Sequence, residues 1–299
     1  MANIAVSDKA KGFVSAILAA VFFGFIPLFG KPALSARMAT ECVLAYRFGI
    51  AAVMLFCILK IKKIPILIPV MQIPAMLLIA VAYSFSGGFL MLGFNYMSGG
   101  VAEVIHFTYP IWVMLIMITV FRERISISSI IAIILAITGI YCLGVLGSEE
   151  SFLPNTHKLA GVIIVLISGL ACATFMVTIN KSKCSRFHSL TISFWMLVLS
   201  ALFFLVISAG TGTLQVAPST KVFFNLVALA FVATVLSNFF LVYSIKGIGS
   251  TLSAILGALE PVTGVVSCAI VFGEAITTPI VFGIILILTA VLIVILRKK

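Results

Sequence analysis

Long apolar stretches are the feature of this sequence that most restricts its fold. The stretch from Ile280 to Leu296, for example, contains no charged residue. About 20 such residues in a helix, at about 1.5 Å rise each, cross the hydrocarbon core of a bilayer, which is about 30 Å thick. Because 63% of the 299 residues are hydrophobic and only 9% are charged, a soluble globular domain is excluded. The apolar runs are continuous rather than alternating, so the sequence predicts an all-α membrane protein and not a barrel.

Hydropathy and turn-forming residues divide the chain into ten predicted transmembrane helices, which we call spans 1 to 10. Their ranges are 12–32, 39–59, 71–94, 99–121, 127–147, 159–180, 189–209, 222–244, 250–272 and 279–296. The break between spans 3 and 4 carries no charge, but Gly99-Gly100 supplies a turn. Ten spans leave no room for a soluble catalytic domain.

The basic residues are unevenly distributed between the predicted loops. If the N-terminus is cytoplasmic, 14 of the 19 Lys and Arg residues lie on the cytoplasmic side, four lie outside, and Arg47 lies within span 2. Cytoplasmic loops of membrane proteins carry an excess of Lys and Arg. The distribution therefore predicts that the N- and C-termini are both cytoplasmic.

The net charge of +11 does not indicate nucleic-acid binding, because the basic residues are dispersed among short loops rather than clustered on one face. They fit contact with anionic lipid head groups. The six cysteines lie mostly within apolar spans and form no CxxC pair, which is typical of small buried side chains rather than of metal or disulfide sites. We expect no metal and no cofactor.

The two halves of the sequence resemble each other at a shift of 151 residues. Pro110 then falls on Pro261, and the Phe-x-Glu-x-Ile motif that begins at Phe121 recurs at Phe272. In each half, a helix with an embedded proline is followed by this motif and then by a last apolar helix. The pattern indicates two copies of a five-helix unit.

We assign the copies to residues 1–150 and 151–299. Because each copy has an odd number of crossings, the second copy is predicted to lie inverted in the membrane. Two inverted five-helix repeats around a central cavity are the architecture of carriers that open alternately to the two sides.

Several of these stretches resemble the drug/metabolite transporter superfamily, in particular its EamA-type branch. They are the stretch from Pro110 to Ser126 with the following helix that contains Gly139, the stretch from Leu256 to Glu274, and Tyr46-Arg47-Phe48 in span 2. The resemblance covers essentially the whole chain. It implies a ten-helix basket with alternating access, a central cavity lined by helices 1, 3, 4, 6, 8 and 9, and in many members the export of small metabolites.

Glu260 and Pro261 lie about ten residues into span 9, which places them about 15 Å deep, near the middle of the hydrocarbon core. A charge at that depth is costly unless it faces a cavity or a partner. One interpretation is a carboxylate that binds substrate or accepts a coupling proton, and the other is a structural kink with a paired acid. We expect Pro261 and its counterpart Pro110 to act as hinges of a gate.

Arg47 lies about nine residues into span 2, about 13 Å below the outer edge. Arginine is always charged, so at this depth it needs a partner or a wet cavity. Two interpretations are open. Arg47 either binds a substrate carboxylate, or it pairs with Glu41 or Glu103.

Span 4 carries Glu103, His106 and Tyr109 at intervals of three residues, roughly along one side of a helix. We expect Glu103 to lie at a shallow depth, near the membrane interface. His106 lies deeper and titrates near neutral pH, which makes it a candidate to accept a coupling proton. The alternative is a neutral histidine held by hydrogen bonds.

The predicted substrate-binding residues combine these groups with polar side chains of other spans. They are Arg47, Tyr83, His106, Tyr109, Thr174, Asn238, Tyr243 and Glu260, with Phe22, Phe25, Ser84, Ser86, Asn180 and Ser253 as further cavity candidates. Asn238 is informative because a buried amide must find hydrogen bonds. We expect Glu123 and Glu274 to be loop or helix N-terminal charges at opposite membrane faces.

The chain contains no GxSxG, HExxH or P-loop motif, so it is not predicted to be an enzyme. We predict a secondary transporter that exports small metabolites such as amino acids across a bacterial-type inner membrane, with protons as candidate coupling ions. The alternatives are a flippase for lipids or lipid-linked sugars and an uptake carrier for nucleotide sugars or other metabolites. The expected partners are a small substrate and membrane lipids, without nucleic acid, and the protein is expected to be a monomer or a homodimer.

Overall fold

The computed structural model describes residues 2–93, 96, 102, 105–124, 126–142, 146, 156–273 and 276–296. Most of these residues are helical, and none of them lies in a strand. The helices are α1 (Ala2–Phe23), α2 (Ile26–Ser35), α3 (Thr40–Ile61), α4 (Ile73–Gly93), α5 (Tyr109–Thr119), α6 (Ile127–Tyr141), α7 (Thr156–Lys181), α8 (Ser189–Gly210), α9 (Thr220–Ala230), α10 (Ser237–Ile248), α11 (Ser250–Leu256), α12 (Leu259–Phe272) and α13 (Thr278–Leu296). A π-helical segment, Phe231–Leu236, joins α9 to α10, and short 3-10 turns occupy Val70–Gln72 and Lys183–Arg186.

The prediction of an all-helical membrane protein is confirmed. In the described part of the chain, seven helical segments are long and apolar enough to cross a membrane, and they correspond to spans 1, 2, 3, 6, 7, 8 and 9. Three shorter apolar helices, Tyr109–Thr119, Ile127–Tyr141 and Thr278–Ile293, correspond to spans 4, 5 and 10. The predicted turn at Gly99-Gly100 and the side chains of Glu103 and Glu274 lie outside the described residues.

The outer surface of the helices is apolar. Ile61, Val206 and Ile270 are 70–80% exposed, and many other large apolar side chains face outward beside them. An apolar exterior of this extent is a liability in water and fits a protein surrounded by lipid.

Three of the predicted spans are interrupted near their middle. Span 1 breaks between α1 and α2, span 4 breaks before α5, and span 9 breaks between α11 and α12. The second half of each resumes with a proline in its first turn, namely Pro27, Pro110 and Pro261. Proline is tolerated there because the first turn of a helix has no internal partner for its N–H groups. The expected proline kinks of spans 4 and 9 are therefore full helix interruptions.

The helices pack in a repeated pattern. Helix α1 of span 1 packs on α10 of span 8, and α7 of span 6 packs on α4 of span 3. Helix α3 of span 2 packs on α8 of span 7, and α6 of span 5 packs on α13 of span 10. Each span of the first half has a counterpart five places later, so that span 1 corresponds to span 6 and span 2 to span 7. When every span is replaced by its counterpart, each of these contacts becomes another contact of the set or itself.

Candidate functional site

A central cavity lies among the helices at the level of the three interruptions. Its empty space, with the open mouth included, is about 1050 Å³. Spans 1, 3, 4, 6, 8 and 9 contribute to its wall, and span 2 adds Arg47 and Phe48. Five of the eight predicted substrate-binding residues line it: Arg47, Tyr83, His106, Tyr109 and Glu260. Ser86 and Ser253 line it as well.

Arg47 is buried, and its guanidinium reaches from span 2 to the π-helical segment of span 8. Its Nε donates a hydrogen bond to Thr234 Oγ1 at 2.8 Å, and its Nη2 donates to the carbonyl oxygen of Ala233 at 3.3 Å. Thr234 Oγ1 donates in turn to Leu229 O at 2.9 Å, five residues earlier. The described hydrogen bonds of the Arg47 side chain therefore go to span 8 and not to Glu41, which corrects the expectation of a pair with Glu41.

The cavity wall carries one group of each charge. Arg47 and Glu260 both line it, and the Glu260 carboxylate acts electrostatically on the Arg47 guanidinium. Burial of Arg47 makes its charge costly alone, and the negative charge of Glu260 offsets part of that cost. The cavity thus offers one cationic and one anionic group within a mostly apolar wall.

Asn238 is completely buried on α10 and ties span 8 to span 3. Its Nδ2 donates to Tyr83 Oη at 2.9 Å and to Thr234 O at 2.8 Å. Asn238 is not among the residues that line the cavity. The expectation that it contacts the cavity is therefore corrected, since it holds Tyr83, which does line the wall.

Thr174 and Tyr243 also lie away from the cavity wall. The hydroxyl of Thr174 donates to Leu170 O of its own helix at 2.8 Å, and the Tyr243 ring packs near Phe239 with ring centres 6.2 Å apart. On α7 the cavity-facing side chains are Cys172, Phe175 and Met176. Because successive residues turn by about 100° along a helix, Thr174 points elsewhere.

Tyr109 stabilises the interruption of span 9. In an unbroken helix Ala254 O would accept the N–H of Ala258, but that N–H donates to Ile255 O instead. Tyr109 Oη donates to the released Ala254 O at 3.2 Å. A buried carbonyl without a donor would be costly, so this contact between spans 4 and 9 holds the break in place.

The interruptions of spans 1 and 9 are in close contact. A Cβ atom added to Gly24 would lie 2.6 Å from Glu260 O and 2.5 Å from Thr263 Cβ. Only glycine fits at such a distance, because real Cβ atoms do not approach other heavy atoms that closely. Gly24 therefore lets the backbone of span 1 reach the residue that carries the anionic group of the cavity.

His106 precedes the interruption of span 4 and is held by span 6. Its Nδ1 lies 2.7 Å from Ser168 Oγ. Ser168 Oγ donates to Ser86 O of span 3, also at 2.7 Å. The ring of His106 is thus fixed at one nitrogen while the side chain lines the cavity.

The sequence analysis missed two of these residues, Thr234 and Ser168. Both are small hydroxyl residues inside apolar helices, where a hydroxyl can bond to its own backbone without any partner in another helix.

The described contacts of Glu123 are with Lys181, with which it forms an ion pair at one end of spans 4 and 6. Within the described residues, no three His, Cys, Asp or Glu side chains cluster as metal ligands would.

Two segments of the chain, residues 10–145 and 159–296, match the EamA-like transporter family. Together they include the helix interruptions of spans 1, 4 and 9 and all of the residues that line the cavity. The chain belongs to the EamA-like transporter family. This EamA protein is a membrane transporter and not an enzyme, and it is a multi-pass protein of the cell membrane. The resemblance stated from the sequence is confirmed.

Relatives of this EamA transporter carry the same general description. An uncharacterized transporter of Archaeoglobus fulgidus is 32% identical over 114 residues, which are 38% of each chain. An uncharacterized transporter of Haemophilus influenzae is 25% identical over 218 residues, which are 71% of this chain and 69% of that one. The chain thus spans little more than a third of the archaeal relative.

The fold of the EamA transporter also occurs in a crystal structure of another protein. The two share 12% sequence identity and superpose with a TM-score of 0.83 over 96% of this chain and 97% of the other. At this identity the match shows the fold alone.

Proposed function

We propose that this EamA transporter is a secondary carrier that exports small zwitterionic metabolites, such as amino acids, through the central cavity. The observation that carries the proposal is the presence of Arg47 and Glu260 in one cavity with a mostly apolar wall. A carboxylate of the substrate would meet the guanidinium, and an ammonium group would meet the carboxylate. The apolar wall would receive the remainder of the molecule.

We propose that ten transmembrane spans form two inverted repeats, residues 1–150 and 151–299, with both termini in the cytoplasm. Three features support this arrangement: the two separate family segments, helix contacts that match when the halves are exchanged, and the 14 of 19 basic residues that the predicted loops place on one side. In such a repeat the two halves rock about the central site. The interruptions at Pro110 and Pro261 are placed to act as the hinges.

Counterflow into proteoliposomes tests the proposed function. Purified protein is reconstituted, the vesicles are loaded with the twenty unlabelled proteinogenic L-amino acids, and uptake of each ¹⁴C-labelled amino acid is measured. We expect at least one to be taken up above the level of protein-free liposomes. Uptake of none of them would refute amino-acid transport.

Replacement of Glu260 by glutamine is expected to reduce this counterflow by about tenfold or more, because hydrogen bonds to a charged group are worth about 1.5–3 kcal/mol. Glutamine keeps the shape and removes the charge. Glu123→Gln is the matched control, since that carboxylate pairs with Lys181 away from the cavity. Equal loss of uptake in both variants would argue against a special role for Glu260.

A transmembrane pH gradient tests the proposed coupling to protons through Glu260 or His106. The other ionisable groups of the cavity are Arg47, Tyr83, Tyr109 and Cys172. We expect the gradient to drive uptake into wild-type vesicles and to have a much smaller effect in Glu260→Gln. Flux that is the same with and without the gradient would exclude proton coupling.

A further inference from the structure

The side chain of His106 is held where spans 3, 4 and 6 meet. Ser168, which is fully buried on α7, lies between the His106 ring and the carbonyl oxygen of Ser86 on α4. The next residue of α7 is Gly169, where an added Cβ would lie 3.0 Å from His106 O. The backbone and the ring of His106 are therefore both in contact with the same turn of span 6.

The hydrogen bonds of Ser168 determine which nitrogen of His106 carries the proton. A carbonyl oxygen can only accept, so the single hydroxyl proton of Ser168 must be donated to Ser86 O, 2.7 Å away. Ser168 Oγ then has only lone pairs left for the His106 Nδ1 atom, also 2.7 Å away. Two lone pairs facing each other at that distance would repel, so Nδ1 must carry a hydrogen and donate it to Ser168.

A neutral imidazole has one N–H and one lone pair. With the hydrogen on Nδ1, the lone pair is on Nε2. Ser168 occupies the Nδ1 side of the ring, and His106 is one of the residues that line the cavity. Nε2 is the nitrogen available to a molecule in the cavity.

We propose that Ser168 is a positioning residue that fixes His106 in the Nδ1–H tautomer, so that Nε2 accepts a hydrogen bond from a donor group of the substrate such as an ammonium. This inference rests on the proposed function for the identity of the donor. It adds a neutral acceptor to the anionic Glu260, and the two together select a substrate that carries several N–H hydrogens. A molecule in the cavity that carries only hydrogen-bond acceptors would be repelled by the lone pair on Nε2.

Nitrogen NMR on the full-length protein tests the tautomer without any transport assay. The chain has three histidines, His106, His157 and His188, and a His157→Gln background labelled with ring-¹⁵N histidine leaves two. His188 is an internal reference for the other tautomer. The backbone N–H of Leu190 donates to its Nδ1 at 3.2 Å, so the ring hydrogen of neutral His188 is on Nε2. Burial, Lys246 and Lys62 lower the pKa of His188, so this reference is neutral at pH 7.5.

In lipid nanodiscs, we expect the wild-type ¹⁵N signals of His106 to report a hydrogen on Nδ1 and those of His188 to report a hydrogen on Nε2. The signals are assigned by comparison with the His188→Gln variant. In Ser168→Ala, the His106 signals should move to the Nε2–H form or to an average of the two forms. Ser168→Thr, which retains the hydroxyl, should restore the wild-type signals. An Nε2–H tautomer of His106 in the wild type, or an unchanged Nδ1–H signal in Ser168→Ala, would overturn the proposal.

Transport kinetics test the second half of the inference, with the amino acid that wild-type vesicles take up fastest as the probe. Ser168→Ala should raise its KM by about tenfold, the effect of one hydrogen bond to a charged donor, with little change in maximal rate. Ser168→Thr should keep the wild-type KM. An unchanged KM in Ser168→Ala would overturn the role in substrate binding. If no amino acid is taken up by the wild type, the proposed function fails while the NMR result still decides the tautomer.

Discussion

Replacement of Arg47 by alanine is expected to abolish counterflow and to lower the free energy of unfolding by about 1.5–3 kcal/mol, the usual contribution of hydrogen bonds to a charged group. The guanidinium bridges spans 2 and 8 through Thr234 and Ala233. It is also the cationic group opposite Glu260 in the cavity. Its loss leaves the half-buried carboxylate of Glu260 without this cation and a substrate carboxylate without its partner.

Two further variants separate these roles of Arg47. Arg47→Lys keeps the positive charge but loses the planar fork that makes two directed hydrogen bonds, so we expect partial counterflow and reduced stability. Thr234→Val keeps the guanidinium but removes the 2.8 Å contact to Nε, so we expect reduced stability with counterflow close to wild type. The measurements are amino-acid counterflow and unfolding by SDS titration in mixed micelles. Full counterflow in Arg47→Ala would contradict a binding role.

Replacement of Gly24 by alanine is expected to be the most damaging single-methyl substitution in span 1. The new Cβ would lie 2.6 Å from Glu260 O and 2.5 Å from Thr263 Cβ, and neither atom is the end of a flexible side chain. The helices must separate, which costs about 1–3 kcal/mol of unfolding free energy. Because the displaced backbone carries Glu260, counterflow should fall as well.

Gly30→Ala is the matched control for Gly24→Ala. It lies in the same span, on α2, and an added Cβ there meets none of the described atoms within 4 Å. Alanine also favours a helix more than glycine does, so Gly30→Ala should be neutral or slightly stabilising in the same SDS titration. Equal stability of the Gly24→Ala and Gly30→Ala proteins would show that spans 1 and 9 do not touch at Gly24.

Much of the fold could be predicted because the bilayer restricts the choices. A run of about 20 apolar residues has few options other than a membrane helix, and the repeated Pro110 and Pro261 segments revealed the two halves. Depth alone also marked Arg47 and Glu260 as cavity residues, since a charge near the middle of a membrane is costly anywhere else. Both line the cavity.

The details that the sequence did not reveal depend on helix rotation and on local backbone geometry. Thr174 is separated from the cavity-lining Cys172 by about 200° of helix rotation, and Tyr243 is separated by the same angle from the cavity-lining Leu241. The π-helical segment Phe231–Leu236 changes which side chains of span 8 face the cavity, compared with a continuous α-helix. Its apolar sequence gives no sign of this change. The break in span 1 at Gly24 was likewise not predicted, because glycine is common in unbroken membrane helices.

Labelling of Cys172 from the two sides of the membrane tests alternating access most directly. Cys172 lines the cavity, and a protein whose other five cysteines are replaced by alanine or serine leaves it as the single thiol. We expect a membrane-impermeant methanethiosulfonate to modify it in both right-side-out and inside-out vesicles, more slowly when the transported amino acid is present. Modification from one side only, with and without the amino acid, would contradict a cavity that opens alternately to both faces.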